Sequence, residues 1–281
     1  MPANPRHLIL NLLLGAGGEP LTARDAVASC ALFDVSENGT RVALARLAAG
    51  GLIEPAGRGA YRLGPSATGL ATEVATWRSA EKRLCTWNGG WIAVHVGGLG
   101  RSDRVALRGR ERALRMLGLG EFERGLHLRP DNLVGGVVAV RDRLFKLGLD
   151  DDAAVFVAKD FDPRREKRAR ALWKGDALTR QYRAKSQRLD DWLARCAKLE
   201  PRVAAREAFL LGDDAIRDLV FDPLLPAPLV DVEARRAFVK AVVRFDAAGH
   251  LIWKRFLNAA PSHATATRAR PTPTTVLETT P

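Results

Sequence analysis

The chain has 281 residues, of which 47% are apolar, and its 44 Lys and Arg against 32 Asp and Glu give a formal net charge of +12. This length predicts about two or three compact domains, and no apolar run reaches the roughly 18 residues of a membrane span. Such a basic chain favours a polyanionic partner, above all nucleic acid, although free use of arginine in a GC-rich genome gives the same balance. The three widely spaced cysteines argue against a disulfide framework or a zinc site and predict a reduced cytoplasm. The lack of a long apolar run predicts no membrane association.

The first 66 residues show the sequence pattern of three helices followed by a hairpin. Capping residues, glycines and prolines divide the segment into helices over 5–15, 22–32 and 36–49 and a hairpin over 52–63. Helix, helix, helix and a glycine-tipped hairpin is the order of a winged helix-turn-helix. Residues 1–66 are therefore predicted to be a DNA-binding domain, and residues 67–86 a connecting helix that leaves the wing.

The third predicted helix has one face suited to a core and one suited to DNA. At about 100° per residue, the core side carries Thr40, Ala43, Leu44 and Leu47. On the other side Asn38 can pair with adenine, Arg41 with guanine, and Val42 can meet a thymine methyl group. Arginines near the helix end and on the wing suit phosphate or minor-groove contact. The predicted DNA-binding residues are Ser36, Asn38, Thr40, Arg41, Val42, Arg46, Arg58 and Arg62. A winged helix that docks proteins, with solvated arginines, is the alternative.

The remainder of the chain divides into a mixed segment, a helical segment and a tail. Residues 87–163 alternate strand and helix, which predicts a small ferredoxin-like α+β domain with helices over 104–117 and 134–147. Residues 164–258 are predicted to be a helical C-terminal domain, with a break at 247–249 in its last helix. Residues 259–281 are rich in Thr, Pro, Ala and Arg and lack core-forming side chains, so this tail is predicted to be disordered. The fold class is α+β.

A series of short motifs runs in the same order as in a known family. The third helix has Arg41, Ala43, Leu44, Arg46 and Leu47 in an RxALxRL pattern, and the hairpin has Gly57, Arg58, Tyr61 and Leu63. Downstream follow Trp87-Asn88-Gly89-Gly90-Trp91, an "R..LR..L...G" helix over 110–120, Leu172-Trp173 with Tyr182, and Asp222-Pro223-Leu224-Leu225-Pro226. Over roughly residues 1–258, the chain resembles the PaaX-type repressors of phenylacetic acid catabolism.

This resemblance implies a function and a partner set. The N-terminal domain would bind double-stranded operator DNA, the central domain would resemble Cas2-type ferredoxin folds, and the C-terminal domain would be helical. The repressors act as dimers and leave DNA on binding an aryl-CoA thioester, typically phenylacetyl-CoA. This chain departs from the pattern at Ala227-Pro228-Leu229, where the family usually has Trp-Pro-Gly, and at His127, where it often has Trp. Both departures leave the identity of an acyl-CoA effector open.

Two groups of residues are candidates for an effector site. The arginine-rich helix over 101–115 could hold the phosphates of a CoA-type ligand, grip flanking DNA, or form a solvated face. The tryptophans could line an apolar acyl pocket or simply fill the core. The predicted effector-binding residues are Trp91, Arg108, Arg115, His127 and Trp173.

A metal-dependent nuclease built on the Cas2-like domain is the alternative function. Such an enzyme needs a carboxylate at the end of its first strand, but that strand here ends at His95 and Val96. The run Asp150-Asp151-Asp152 resembles a metal cluster, but consecutive side chains point in different directions. We therefore expect a regulator without catalytic residues, metal or cofactor.

Overall fold

A computed structural model describes residues 4–100 and 102–259. Arg101 and residues 260–281 of the predicted tail lie outside the described residues. The N-terminal segment contains α1 (Pro5–Gly15), β1 (Leu21–Thr22), α2 (Ala23–Ala31), α3 (Glu37–Ala49), β2 (Ile53–Pro55) and β3 (Ala60–Leu63). Its strands form an antiparallel sheet in the order β1-β3-β2. The helices and sheet enclose a core that includes Leu8, Leu44, Leu47 and Ile53. This topology is typical of a winged helix-turn-helix.

The connecting segment and the central segment follow. The connection is α4 (Pro65–Ala75) and a 3₁₀ helix (Thr76–Arg83). The central elements are β4 (Trp91–His95), α5 (Arg104–Met116), β5 (Gly120–Glu123), β6 (Leu126–Pro130), α6 (Gly136–Lys146) and β7 (Ala154–Ala158). All pairs are antiparallel, and the strand order is β5-β6-β4-β7. This order and the two crossover helices on one face are typical of a ferredoxin-like domain.

Two details of the central segment differ from the sequence prediction. Two strands rather than one lie between the two helices, because a turn at Gly125 (φ 78°) separates β5 from β6. The helix predicted from 134 begins only at Gly136, because Gly135 and Gly136 both adopt positive φ. Glycine reaches these conformations without the steric cost that other residues incur.

The C-terminal segment is helical. It contains α7 (Pro163–Arg170), α8 (Gly175–Arg195), a 3₁₀ turn (Cys196–Lys198), α9 (Pro201–Val220) and α10 (Val232–Ala259). The predicted break at 247–249 is wrong, because α10 runs without interruption through Gly249. Gly249 is buried, and a Cβ added there would lie 4.0 Å from the Ala208 Cβ. An alanine would fit at this ordinary van der Waals distance, so the packing of α9 and α10 does not require the glycine, and the glycine does not end the helix. The α+β class is confirmed.

The C-terminal helices pack against both other segments. Asn132 Nδ2 donates to the Leu224 carbonyl at 2.7 Å, which joins the central sheet to the connector after α9. On the other side, the Phe33 and Phe209 rings meet edge to face with centroids 5.2 Å apart. Helix α9 therefore lies between the central segment and the N-terminal core.

Candidate nucleic-acid interface

Helix α3 begins at a side-chain cap. Ser36 Oγ accepts a hydrogen bond from Gly39 N at 3.1 Å, and Glu37 stands in the first turn, where a negative charge favours the helix dipole. Ser36 is exposed, and its hydroxyl oxygen is engaged with the helix backbone. A cap of this kind fixes where the helix starts and therefore which side chains face outward.

The two predicted faces of α3 are present in the structure. Ala43, Leu44 and Leu47 are at most 3% exposed and belong to the N-terminal core. The outward face carries Asn38, Arg41, Val42 and Arg46, all exposed. Val42 is one of the exposed large apolar residues of the described chain, at 42%. An apolar side chain flanked by polar donors at such a surface is suited to base edges and thymine methyl groups.

Thr40 is the predicted DNA contact that the structure contradicts. Its side chain is fully buried, and its Oγ1 donates to the Ser36 carbonyl at 3.1 Å. It also hydrogen-bonds the Cys30 thiol, whose pKa is raised overall because burial outweighs this bond. Thr40 therefore belongs to the core that supports α3 and has no surface for a nucleic acid.

The arginines on the outward face of α3 and on the hairpin fall into two groups, those with a carboxylate partner and those without one. Arg41 donates to Glu37 at 2.7 Å and Arg62 donates to Glu54 at 2.7 Å, all on the surface. Exposed ion pairs of this kind contribute little to stability, so a phosphate or a base can replace the carboxylate. Within the described residues, Arg46 and Arg58 form no ion pair. These two arginines are the cations of the surface that are directly available to a polyanion.

The hairpin between β2 and β3 holds Arg58 at its tip. Gly57 and Gly59, on either side of it, have φ of 109° and 71°, and Ala56 N donates to the Ala60 carbonyl at 2.9 Å. Left-handed conformations on both sides allow the tight turn that exposes the arginine. Arg62 lies farther down the same hairpin, on β3.

The predicted effector residues do not form one site. Trp91 is only 1% exposed, and its ring stacks on Trp173 with centroids 6.0 Å apart. Its Nε1 donates to Glu166 at 2.9 Å, and Trp173 Nε1 donates to the Gly118 carbonyl at 3.2 Å. These two tryptophans meet as predicted, but Trp91 fills the core beneath α7, so it cannot line an open pocket.

His127 and Arg108 lie apart from this pair. His127 is half-buried on β6 opposite Glu121, and burial lowers its pKa despite the nearby carboxylate. Arg108 is exposed on α5, where its Nε donates to the Arg104 carbonyl at 3.1 Å. Neither residue lines the groove between α5, α8 and the end of α9 that Arg115 borders.

Arg115 is the predicted effector residue that does line a cavity. It borders an open groove of about 310 Å³ between α5, α8 and the end of α9. Its guanidinium lies over the Phe221 ring, 4.2 Å from the centroid. The lining comprises Arg115, Leu178, Gln181, Tyr182, Arg217, Asp218, Phe221, Asp222 and Pro223. We refer to this cavity as the α5–α9 groove.

A buried acid forms the floor of the α5–α9 groove. Asp222 accepts hydrogen bonds from Tyr182 Oη at 2.6 Å and from Leu224 N at 2.7 Å. Burial raises the pKa of Asp222 more than these bonds lower it, and burial together with the acid raises the pKa of Tyr182. Sequence reasoning missed Phe221 and Arg217 as lining residues, although the motif at 222–226 marked the region.

The aspartate run at 150–152 has a structural role. Asp150 accepts two hydrogen bonds from Arg110, at 2.9 and 3.1 Å, and the hydrogen bond from this arginine holds the pKa of the carboxyl below its usual value. Across residues 4–100 and 102–259, His, Cys, Asp and Glu side chains form no group of three or more that could hold a metal ion. No helix in these ranges has the length and apolar composition needed to cross a membrane.

Comparison with known proteins finds a family match for the C-terminal segment. Residues 173–255 match the family model of the PaaX-like protein C-terminal domain. This match supports the resemblance seen in the sequence motifs: the C-terminal segment is similar to that of PaaX-like proteins, a similarity that suggests a transcriptional regulator.

The structure also resembles a solved one. The uncharacterized protein Rv0674 from Mycobacterium tuberculosis is 24% identical, with a TM-score of 0.58 over 90% of this chain and 98% of that chain. This likeness concerns the fold alone. No curated protein matches the sequence.

Proposed function

We propose that the protein is a sequence-specific DNA-binding repressor that acts as a homodimer on double-stranded operator DNA. The observation that carries this proposal is the outward face of α3, where Asn38, Arg41 and Val42 are exposed on a helix whose other face is buried. Arg46 and Arg58 flank this face without carboxylate partners among the described residues. With α3 in the major groove and the wing on the DNA backbone, the exposed face of α3 would contact bases while the two arginines would contact phosphates.

We assign α3 to base reading and the wing to the backbone. Asn38 and Arg41 have the donor and acceptor groups that distinguish adenine and guanine in the major groove. Arg46 near the end of α3, and Arg58 and Arg62 on the hairpin, suit phosphate contact. A two-fold symmetric dimer places two such units on the half-sites of a near-palindrome.

We further propose that an acyl-CoA or aryl-CoA thioester in the α5–α9 groove releases the DNA. Phe221, Leu178 and Pro223 offer apolar surface to an acyl group, while Arg115 and Arg217 offer cations to phosphates. The volume of about 310 Å³ is at the lower end of small-molecule sites. The groove therefore suits the acyl end of such a ligand, with its nucleotide portion outside.

Helix α9 is the element through which the groove can influence DNA binding. Arg217 borders the groove and lies 3.9 Å from Asp213, one turn earlier. Asp213 accepts a hydrogen bond from Asn11 of α1 and lies 3.4 Å from His7 Nε2. A ligand that draws Arg217 into the groove would alter the contacts that position α1 beneath the DNA-binding surface.

The direct test of the function is a gel shift with the DNA upstream of the protein's own gene. We expect a discrete complex at moderate salt that an excess of unrelated duplex does not dissociate. Phosphate contacts contribute equally to binding of any duplex, whereas base contacts add affinity for the specific DNA alone. Equal competition by specific and unrelated DNA would contradict the proposal.

The effector assignment predicts unequal effects of two arginines on the same helix. Acyl-CoA thioesters should raise the melting temperature of the wild type. In Arg115→Ala the same rise should need about tenfold or more ligand, because one charge-assisted hydrogen bond is lost. Arg108→Ala removes an exposed arginine of α5 that does not line the groove. Titration of phenylacetyl-CoA in a thermal shift assay tests this prediction, and equal losses in the two variants would refute the groove as the site.

A further inference from the structure

The edge strand β7 leaves apolar side chains exposed. In the order β5-β6-β4-β7, strand β7 pairs only with β4, and its other edge carries no strand in the described residues. Phe156 and Val157 on β7 are 44% and 39% exposed. An apolar edge strand is a template for pairing with another chain, and monomeric proteins usually block it with charge or proline. The five residues of β7 contain neither, and the charge that reaches this edge is the guanidinium of Arg141 on α6, at the Val155 carbonyl.

The sequence of β7 is suited to pairing with itself. Ala154-Val155-Phe156-Val157-Ala158 reads the same in both directions. We propose that two copies of the chain pair their β7 strands antiparallel about a two-fold axis at Phe156, which joins their four-stranded sheets into one continuous sheet. Phe156 would then face its own equivalent, and each Val155 would face a Val157. Such an interface is isologous and closes after two copies.

The backbone of β7 fits this register. Arg141 Nη2 donates to the Val155 carbonyl at 2.7 Å, so this carbonyl faces the open edge. Because backbone groups of alternate residues point to the same side of a strand, Val155 and Val157 both present their N–H and C=O outward. These are the two residues that the axis at Phe156 places opposite each other. The guanidinium of Arg141 occupies the position that the N–H of the second Val157 would take, so the pairing requires this long side chain to release the Val155 carbonyl.

Helix α6 extends the apolar surface beside the strand. Val138 lies about one turn before Arg141 on α6, and Val134 stands two residues before the helix begins. These two side chains are 58% and 59% exposed. Five paired residues alone bury less than the roughly 800 Å² per partner of a standard interface. Val138, on the same helix as Arg141, supplies additional apolar area for a second copy, whereas a single docked peptide strand would leave it uncovered.

A charge-swap experiment tests this interface. Phe156→Lys places two ammonium groups face to face at the axis, so the variant should sediment as a monomer where the wild type is a dimer. Val243→Lys is the matched control, because Val243 lies on α10 at the same 44% exposure, and it should remain dimeric. An equimolar mixture of Phe156→Lys and Phe156→Asp should recover the dimer, because only the mixture sets opposite charges across the axis.

Several results would overturn the interface: a monomeric wild type, a dimeric Phe156→Lys variant, or a charge-swapped mixture that stays monomeric. The use of this dimer on DNA rests on the proposed function, but the sedimentation test does not. If the wild type fails to bind DNA specifically while the mixture recovers the dimer, the proposed function fails and the interface is supported.

Discussion

Replacing Arg235 with alanine is expected to lower the free energy of unfolding by about 3 kcal/mol. Arg235 is 1% exposed on α10, and its Nε donates to Glu81 Oε1 at 2.7 Å. Its Nη1 donates to the Leu225 carbonyl, so one guanidinium joins the connecting 3₁₀ helix, the 222–226 connector and α10. The substitution leaves the Glu81 carboxylate and the Leu225 carbonyl without the guanidinium that donates to both. The expected value is at the lower end of the range for broken buried pairs, because Glu81 retains 25% exposure.

Arg236→Ala is the matched control for this prediction. Arg236 is the next residue, lies 3.5 Å from the same Glu81 carboxylate, and is 53% exposed. Exposed ion pairs are screened by solvent, so we expect little change in stability. Urea denaturation followed by circular dichroism gives both free energies. Equal stabilities of the two variants would show that the buried pair does not hold the connecting segment to α10.

The double variant Arg46→Ala/Arg58→Ala is expected to bind all DNA sequences more weakly. These two arginines are the exposed cations of the α3 and hairpin surface that lack carboxylate partners in the described chain. Each lost phosphate contact should reduce the slope of log K against log salt by about 0.9, so the double variant should lose about two units. The affinity at moderate salt should fall by about a hundredfold, because the variant loses two charge-assisted hydrogen bonds that contribute about 1.5 kcal/mol each.

Arg188→Ala/Arg202→Ala controls for net charge. It removes the same two positive charges from exposed positions on α8 and α9. Its salt slope should match the wild type, because long-range charge alone is screened within about 10 Å at 0.1 M salt. Anisotropy titrations at four salt concentrations provide the slopes. If the salt slope of the control falls as much as that of the double variant, net positive charge alone accounts for DNA binding, and α3 and the hairpin have no special role.

Much of the N-terminal segment could be predicted because its signals are local. The cap at Ser36 and the periodicity of Ala43, Leu44 and Leu47 determine where α3 starts and which face it buries. Thr40 lies on that buried face, and the same periodicity should have removed it from the DNA contacts. The two-residue strand β1 was missed, because it forms only through its pairing with β3.

The groove and the packing of α10 could not be predicted in this way. Arg115 and Phe221 are separated by 106 residues in the sequence and meet only because α9 packs against the central segment. Gly249 resembles a helix stop locally, but the burial of α10 against the other helices keeps this helix continuous despite the intrinsic cost of glycine. Trp91 could equally have lined a pocket or filled the core, and only its burial beneath α7 decides between them.

Recognition of individual bases by α3 is the central claim, and the affinity of Arg41→Ala for a series of operator duplexes tests it most directly. Each duplex carries one substituted base pair, and the wild type should lose about 1–3 kcal/mol at each pair that it reads. Arg41→Ala should bind the intact operator more weakly by a similar amount and should become indifferent to one guanine position while it still discriminates at the others. If Arg41→Ala weakens every duplex equally and keeps the wild-type pattern of discrimination, α3 does not read bases through Arg41 and the account is contradicted.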